Sequence, residues 1–192
     1  AIGIGNQDFE IIRKEGYFYI DKTRFIKDWW DSGDSVTLIT RPRRLGKTLN
    51  MSMIEKFFSV KHADGGRIFQ GLTIWEYEKY RELQGTFPVL SLSFADIKET
   101  TFDETRKKIC KIIQMVYNKF DFLLESGVLN ENEKMDFQKI SADMEDYMAS
   151  LSLKMLSDYL CRYYGKRVII LLDEYDTPMQ EAYVNGYWKE LT

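Results

Sequence analysis

Val36-Thr37-Leu38-Ile39-Thr40-Arg41-Pro42-Arg43-Arg44-Leu45-Gly46-Lys47-Thr48 is the segment from which the expected architecture is built outward. Its first five residues are β-rich and read as a buried strand. The remainder is a basic loop closing on Gly-Lys-Thr. Residues 47–58 follow as a helix with Leu49, Met53, Ile54, Phe57 and Phe58 on one face. A strand, a glycine-bearing loop and a helix make up the context that phosphate binding needs. Backbone N–H groups at a helix N-terminus point outward and carry positive partial charge. Gly46 lets the backbone approach a phosphate closely. Lys47 reaches the β- and γ-phosphates as a mobile charge, and Thr48 offers its hydroxyl to Mg²⁺. The binding set read from this loop is Arg43, Arg44, Leu45, Gly46, Lys47, Thr48 and Leu49, with a solvated charged face the equal alternative for Arg43 and Arg44. One position departs from the pattern G-x-x-x-x-G-K-[ST]: Arg41 replaces the first glycine. The plainer alternative is a basic turn before a surface helix.

A second run belongs with the first. Val168-Ile169-Ile170-Leu171-Leu172 is apolar without alternation, as in a strand buried on both faces. Asp173-Glu174-Tyr175-Asp176 follows directly. Asp173 is placed to hold Mg²⁺ through water, since magnesium keeps several waters and needs few carboxylates. Glu174 is placed as the base that orients and deprotonates an attacking water. The plainer alternative is an acidic turn capping the next helix, with Pro178 near its first turn. The catalytic candidates are thus Glu174 and Lys47, and the metal candidates Thr48 and Asp173.

Between these runs the pattern alternates. A helix is expected over 7–15, and Tyr17–Ile20 reads as a short extended segment. Asp21 is positioned to cap a helix carrying Phe25, Ile26, Trp29 and Trp30 and ending at Gly33. Asp21-Lys22-Thr23 is alternatively a contributor to the nucleotide pocket. Pro88 opens a strand over 89–94. A long amphipathic helix is expected over 102–125, a polar interruption near 126–134, and a helix from Met148 to Tyr163 ended by Gly165. Strands separated by helices imply parallel pairing and an α/β layered fold, with ligands beyond the carboxyl ends of the strands. Trp29, Trp30 and Trp75 read as core residues rather than base-stacking platforms.

Composition narrows the function classes. The 192 residues carry 27 basic and 30 acidic side chains, a net charge of −3, so no global basic field draws in nucleic acid. Cys110 and Cys161 stand alone, which argues against structural zinc and a disulfide framework and for buried thiols. His62 lies in a polar turn and reads as a surface residue. No apolar run suits a bilayer span or signal peptide, so the expected location is cytoplasmic and no membrane partner is expected. The chain begins without Met and stops in an apparent helix, so it reads as a piece of a longer protein.

Four ordered blocks carry a resemblance: Ile4-Gly5-Asn6-Gln7-Asp8-Phe9, Tyr19-Ile20-Asp21-Lys22-Thr23, Arg41 to Thr48, and Leu172-Asp173-Glu174-Tyr175-Asp176-Thr177-Pro178. Together they resemble the AAA-ATPase-like family of bacterial proteins over nearly the whole chain. Arg41 also looks like that family's usual loop. The resemblance implies a RecA-like P-loop core with a mainly parallel sheet flanked by helices, residues 1–192 being the N-terminal part of one such domain. It implies ATP and Mg²⁺ as ligands, with Lys47 and Thr48 on phosphate and metal, Asp173 on the metal and Glu174 as base. A sensor-bearing strand is expected beyond this chain, so the sheet reads as incomplete, with edges able to pair with another chain. Family members often carry a C-terminal PD-(D/E)XK nuclease-like domain, and nucleic acid is expected to be bound only through such a domain.

Three functions compete at this stage. The first is ATP hydrolysis driving or gating a fused or partner effector. The second is a nucleotide-gated module with little hydrolysis, acting on a protein partner or by self-association. The third is a small-molecule phosphotransferase, disfavoured because an acid pair after an apolar strand suits water activation better.

Overall fold

A computed structural model describes residues 5–39 and 46–191. It is an α/β chain, mostly helical, and its residues group into two compact units, 1–89 and 90–192.

In the first unit the elements are α1 (Phe9–Lys14), α2 (Arg24–Ser32), α3 (Lys47–Phe58), 3-10 segments at Val60–Phe69 and Thr73–Glu76, and α4 (Glu78–Arg81). The apolar face expected of α3 is the buried one: Met53, Ile54, Phe57 and Phe58 are at most 3% exposed. Phe57 meets Phe69 edge-on at 5.1 Å, Phe9 stacks on Phe69 at 5.1 Å, and Trp30 stacks on Phe58 at 5.3 Å. Such ring pairs add roughly 0.5–1.5 kcal/mol each beyond area burial. Trp29 and Trp75 also lie against core rings, Phe58 and Phe69.

Polar contacts hold α3 from its middle to its last turn. Ser52 Oγ accepts the Phe9 N–H at 3.0 Å, and Lys56 Nζ reaches Glu10 Oε2 at 2.8 Å, so α1 is tied to α3. At the far end the Phe87 N–H donates to Phe58 O and the Gly85 N–H to Phe57 O, both at 2.8 Å. Gly85 has φ +69°, and a Cβ there would lie 2.3 Å from Ala63 Cα. Only glycine permits both that conformation and that approach.

Asp21 does not cap α2. Thr23 holds the cap position, and Asp21 instead forms a cross-link. Its Oδ1 accepts from Thr23 N–H (2.8 Å) and Thr23 Oγ1 (2.7 Å), and its Oδ2 from Thr73 N–H (2.7 Å) and Thr73 Oγ1 (2.8 Å). Burial works to raise the Asp21 carboxyl, and these four hydrogen bonds outweigh it and hold it below the usual carboxylate range.

The run Val36–Thr40 departs furthest from expectation. Thr40 lies outside the described residues, and residues 36–39 form no strand. Val36 is 88% and Leu38 62% exposed. A strand needs a ladder partner for its backbone groups, and β-propensity alone does not supply one. His62 is a milder correction: it lies in a 3-10 segment and is half-buried, and burial lowers its pKa.

In the second unit the elements are β1 (Val89–Ser93), which opens at the unit boundary, α5 (Phe102–Asn118), a 3-10 turn Asp121–Glu125, α6 (Glu131–Gln138), α7 (Asp146–Tyr164), β2 (Ile169–Asp173), α8 (Thr177–Asn185) and α9 (Trp188–Leu191). Among the described residues β1 and β2 form one two-stranded parallel sheet. Parallel pairing requires a long crossover, and α5 to α7 provide it. Leu90 and Leu92 of β1 pack with Ile113 and Tyr117 of α5 and Leu156 and Leu160 of α7. The buried Tyr117 hydroxyl donates to Ser152 O at 2.7 Å.

Three expectations change here. The helix expected over 102–125 ends at Asn118, because Phe120 leaves helical geometry (φ −125°, ψ 24°). The polar stretch near 126–134 begins a helix, α6, opened by a capping box between Asn130 and Glu133. And β2 is buried on one face only. Leu171 is 6% exposed, while Ile170 and Leu172 remain 47% and 39% exposed, since alternate residues face opposite ways. Of the thiols, Cys110 is buried and Cys161 half-buried, and both are free.

Two stability outcomes follow. Gly85→Ala should lower the unfolding free energy by about 2 kcal/mol or more, read by urea denaturation, because it adds positive-φ strain to a backbone clash. Glu10 is held at about 2, against an ordinary 4.5, by hydrogen bonds from Lys14 and then Lys56, with burial opposing. A lowered carboxylate stabilises the fold above its unfolded pKa and loses that contribution as pH falls through the folded one. Wild type should therefore lose stability between pH 4.5 and about 2 more steeply than Glu10→Gln, measured as melting temperature against pH.

Candidate functional site

The described part of the basic loop begins at Gly46. It occupies the N-cap of α3 with φ +77° and ψ +25°, a left-handed conformation that suits glycine. Lys47, Thr48 and Leu49 form the first helical turn, and the first backbone bond inside the helix runs from Asn50 N–H to Gly46 O at 3.0 Å. A glycine cap offers no side chain to the leading N–H groups. Lys47 is half-buried. Gly46, Lys47, Thr48 and Leu49 are thus brought together at one helix start. Arg43, Arg44 and Leu45 lie outside the described residues.

Asp173 ends β2, as the sequence places it, and its backbone carbonyl accepts the Phe94 N–H at 3.0 Å. Its Oδ1 accepts the Glu174 N–H at 3.0 Å. Glu174 has φ +51°, and among the described residues it is the one non-glycine with positive φ. A left-handed residue bearing a side chain costs roughly 1–2 kcal/mol, and such outliers gather at functional sites. The turn is closed by Thr177, whose N–H donates to Glu174 O at 3.0 Å and whose hydroxyl donates to Glu174 Oε2 at 3.4 Å. Asp176 holds the N-cap of α8 without a side-chain cap bond, and Pro178 sits in the first turn as expected. The Gly-Lys-Thr turn and the Asp-Glu turn belong to different compact units, 1–89 and 90–192.

A further residue stands at the helix start. A Cβ on Gly46 would lie 3.7 Å from Lys22 Nζ. The pattern Asp21-Lys22-Thr23 marked this segment as a pocket contributor, but nothing in it says which of the three faces Gly46.

The donor set can be tested against Mg²⁺ and a polyphosphate. Thr48 and Asp173 are hard oxygen donors, which suit magnesium. Among the described residues no three His, Cys, Asp or Glu side chains cluster. A glycine at the head of a helix suits a phosphate anion, and Thr48 and Asp173 are each of a donor type that suits magnesium.

The chain is thus an α/β protein in which Gly-Lys-Thr opens a helix and Asp-Glu ends a strand. It belongs to the AAA-ATPase-like family, described as predicted AAA-ATPase, whose model matches residues 3–192. Membership supports nucleotide binding in general. The chain is also similar to an uncharacterized protein in the vnfD 5' region of Azotobacter chroococcum mcd 1, at 26% identity over 180 residues. The match covers 92% of this chain, which spans only 29% of that protein's length. No solved structure matches. No helix of the described residues is long and apolar enough to cross a membrane.

The strain at Glu174 is measurable. Glu174→Gly should raise stability by about 0.5–1 kcal/mol in urea denaturation, the relief of strain exceeding glycine's entropic cost. A loss of stability would show that the carboxylate contributes more to the fold than the strain costs.

Proposed function

We propose that this chain binds ATP with Mg²⁺ and hydrolyses the γ-phosphate. The observation that carries the reading is the left-handed Gly46 heading α3, with Lys47 and Thr48 in its first turn, in a member of an ATPase-like family. The finer fold is part of the proposal: a RecA-like P-loop core, of which residues 1–192 form the N-terminal part.

In this reading the first-turn N–H groups of α3 receive phosphate oxygens and Lys47 neutralises their charge. Thr48 and Asp173 are the residues that would hold the metal. Bound Mg²⁺ supplies charge neutralisation at the phosphate chain. Glu174 would orient the attacking water and accept its proton, from a turn whose backbone stands at φ +51°. Arg43 and Arg44 add cations to the loop. Location in the cytoplasm, and action through a fused effector, a protein partner or self-association, are parts of the same proposal.

Calorimetric titration of ATP·Mg²⁺ into the full-length protein tests it. Saturable binding that Lys47→Ala removes is the expected result. Glu174→Gln should keep binding and lower turnover by about 10²–10⁴-fold. A folded full-length protein that binds no ATP would overturn the reading. Binding without measurable turnover in wild type would leave a nucleotide-gated module instead.

A further inference from the structure

We infer that Lys22 is a second phosphate-binding cation of this chain, set against the head of α3 by the cross-link between Asp21, Thr23 and Thr73. The inference rests on the nucleotide-binding reading above and adds a residue to it from outside the Gly-Lys-Thr run.

The backbone carrying Lys22 is fixed on both sides. Asp21 holds Thr23 and Thr73 through four hydrogen bonds. Thr23 is fully buried, and its Oγ1 accepts the Ile74 N–H at 3.1 Å. The Lys22 N–H donates to the Tyr19 hydroxyl at 3.3 Å, and its carbonyl accepts the Phe25 N–H at 3.0 Å. From this base the side chain brings Nζ to 3.7 Å from the position of a Gly46 Cβ.

That placement is electrostatically unfavourable by itself. The N-terminus of a helix carries about half a positive charge, and a cation beside it is repelled. Lys47, the first residue of the same helix, adds a second positive charge. Among the described residues no carboxylate pairs with Lys22, although lysines elsewhere in the same unit find partners, as Lys56 does with Glu10 and Lys79 with Asp31. An anion at the helix head turns three repelling positive groups into a binding site. A lysine ammonium is a compact, strongly hydrated charge suited to phosphate oxygens. The ligand class is the polyphosphate chain of a nucleoside triphosphate, whose several negative charges can engage Lys22 and Lys47 together. The base plays no part in this contact.

The test compares wild type, Lys47→Ala, Lys22→Gln and Lys22→Arg in the full-length protein. Each is titrated with ATP·Mg²⁺ and with inorganic triphosphate·Mg²⁺, and each is melted. One charge-assisted hydrogen bond corresponds to about tenfold or more in affinity. Lys22→Gln should lose that factor for both ligands with an unchanged melting temperature, and Lys22→Arg should recover most of it. In wild type, ATP·Mg²⁺ should protect Lys22 from amine acylation read by mass spectrometry, which needs no variant. Unchanged affinity in Lys22→Gln while Lys47→Ala abolishes binding would overturn the inference and leave the nucleotide reading intact. So would an equal loss in Lys22→Gln and Lys22→Arg with a lowered melting temperature, the mark of a purely structural residue. Absence of ATP binding in folded wild type would remove the nucleotide reading itself and this inference with it.

Discussion

The burial of Phe57 and Phe58 at the end of α3 is the contact on which the first unit depends. Both rings are fully buried, one against Phe69 and the other against Trp30 and Trp29. Phe9 completes the cluster from α1, and Gly85 and Phe87 hold the backbone of the same two residues. A helix locked at its last turn has its first turn placed as well, because twelve residues form a stiff rod about 18 Å long. The aromatic core thereby decides where Gly46, Lys47 and Thr48 stand.

Polar contacts adjust what the core has placed. The Asp21 carboxylate is the clearest case, since its four hydrogen bonds join the segment before α2 to the 3-10 turn at Thr73. A carboxylate so fully engaged is a strut, and its effect is to hold Lys22 rather than to start a helix. In the second unit the same economy appears at Asp173 and Glu174. There one carboxylate closes its own turn, and the neighbouring residue takes a left-handed conformation that a glycine would adopt without strain. The retention of a side chain in that conformation is what sets this turn apart from an ordinary acidic cap.

Much of the fold was legible because periodicity reports burial directly. The apolar faces of α3, α5 and α7 and the runs of β1 and β2 were all readable, as was the α/β class. Among the features that misled, two are instructive. Val36–Thr40 has the composition of a strand, but a strand exists only where a ladder partner is present, and composition carries no information about partners. Residues 126–134 read as a polar interruption, although Asn130 and Glu133 have the spacing of a capping box that opens α6. That signal was present and outweighed by hydropathy.

By itself the sequence determined the candidate chemistry, because Gly46-Lys47-Thr48 and Asp173-Glu174 are contiguous and each sits where a local element begins or ends. It also determined which faces of the long helices are apolar, since spacing along a helix is a local property. Packing in the folded chain is what makes Asp21 a cross-link, sets Gly85 against Ala63 and turns the Lys22 ammonium toward Gly46. Each of these joins residues far apart along the chain, and a contact of that kind is set by how elements pack rather than by any pattern within one of them.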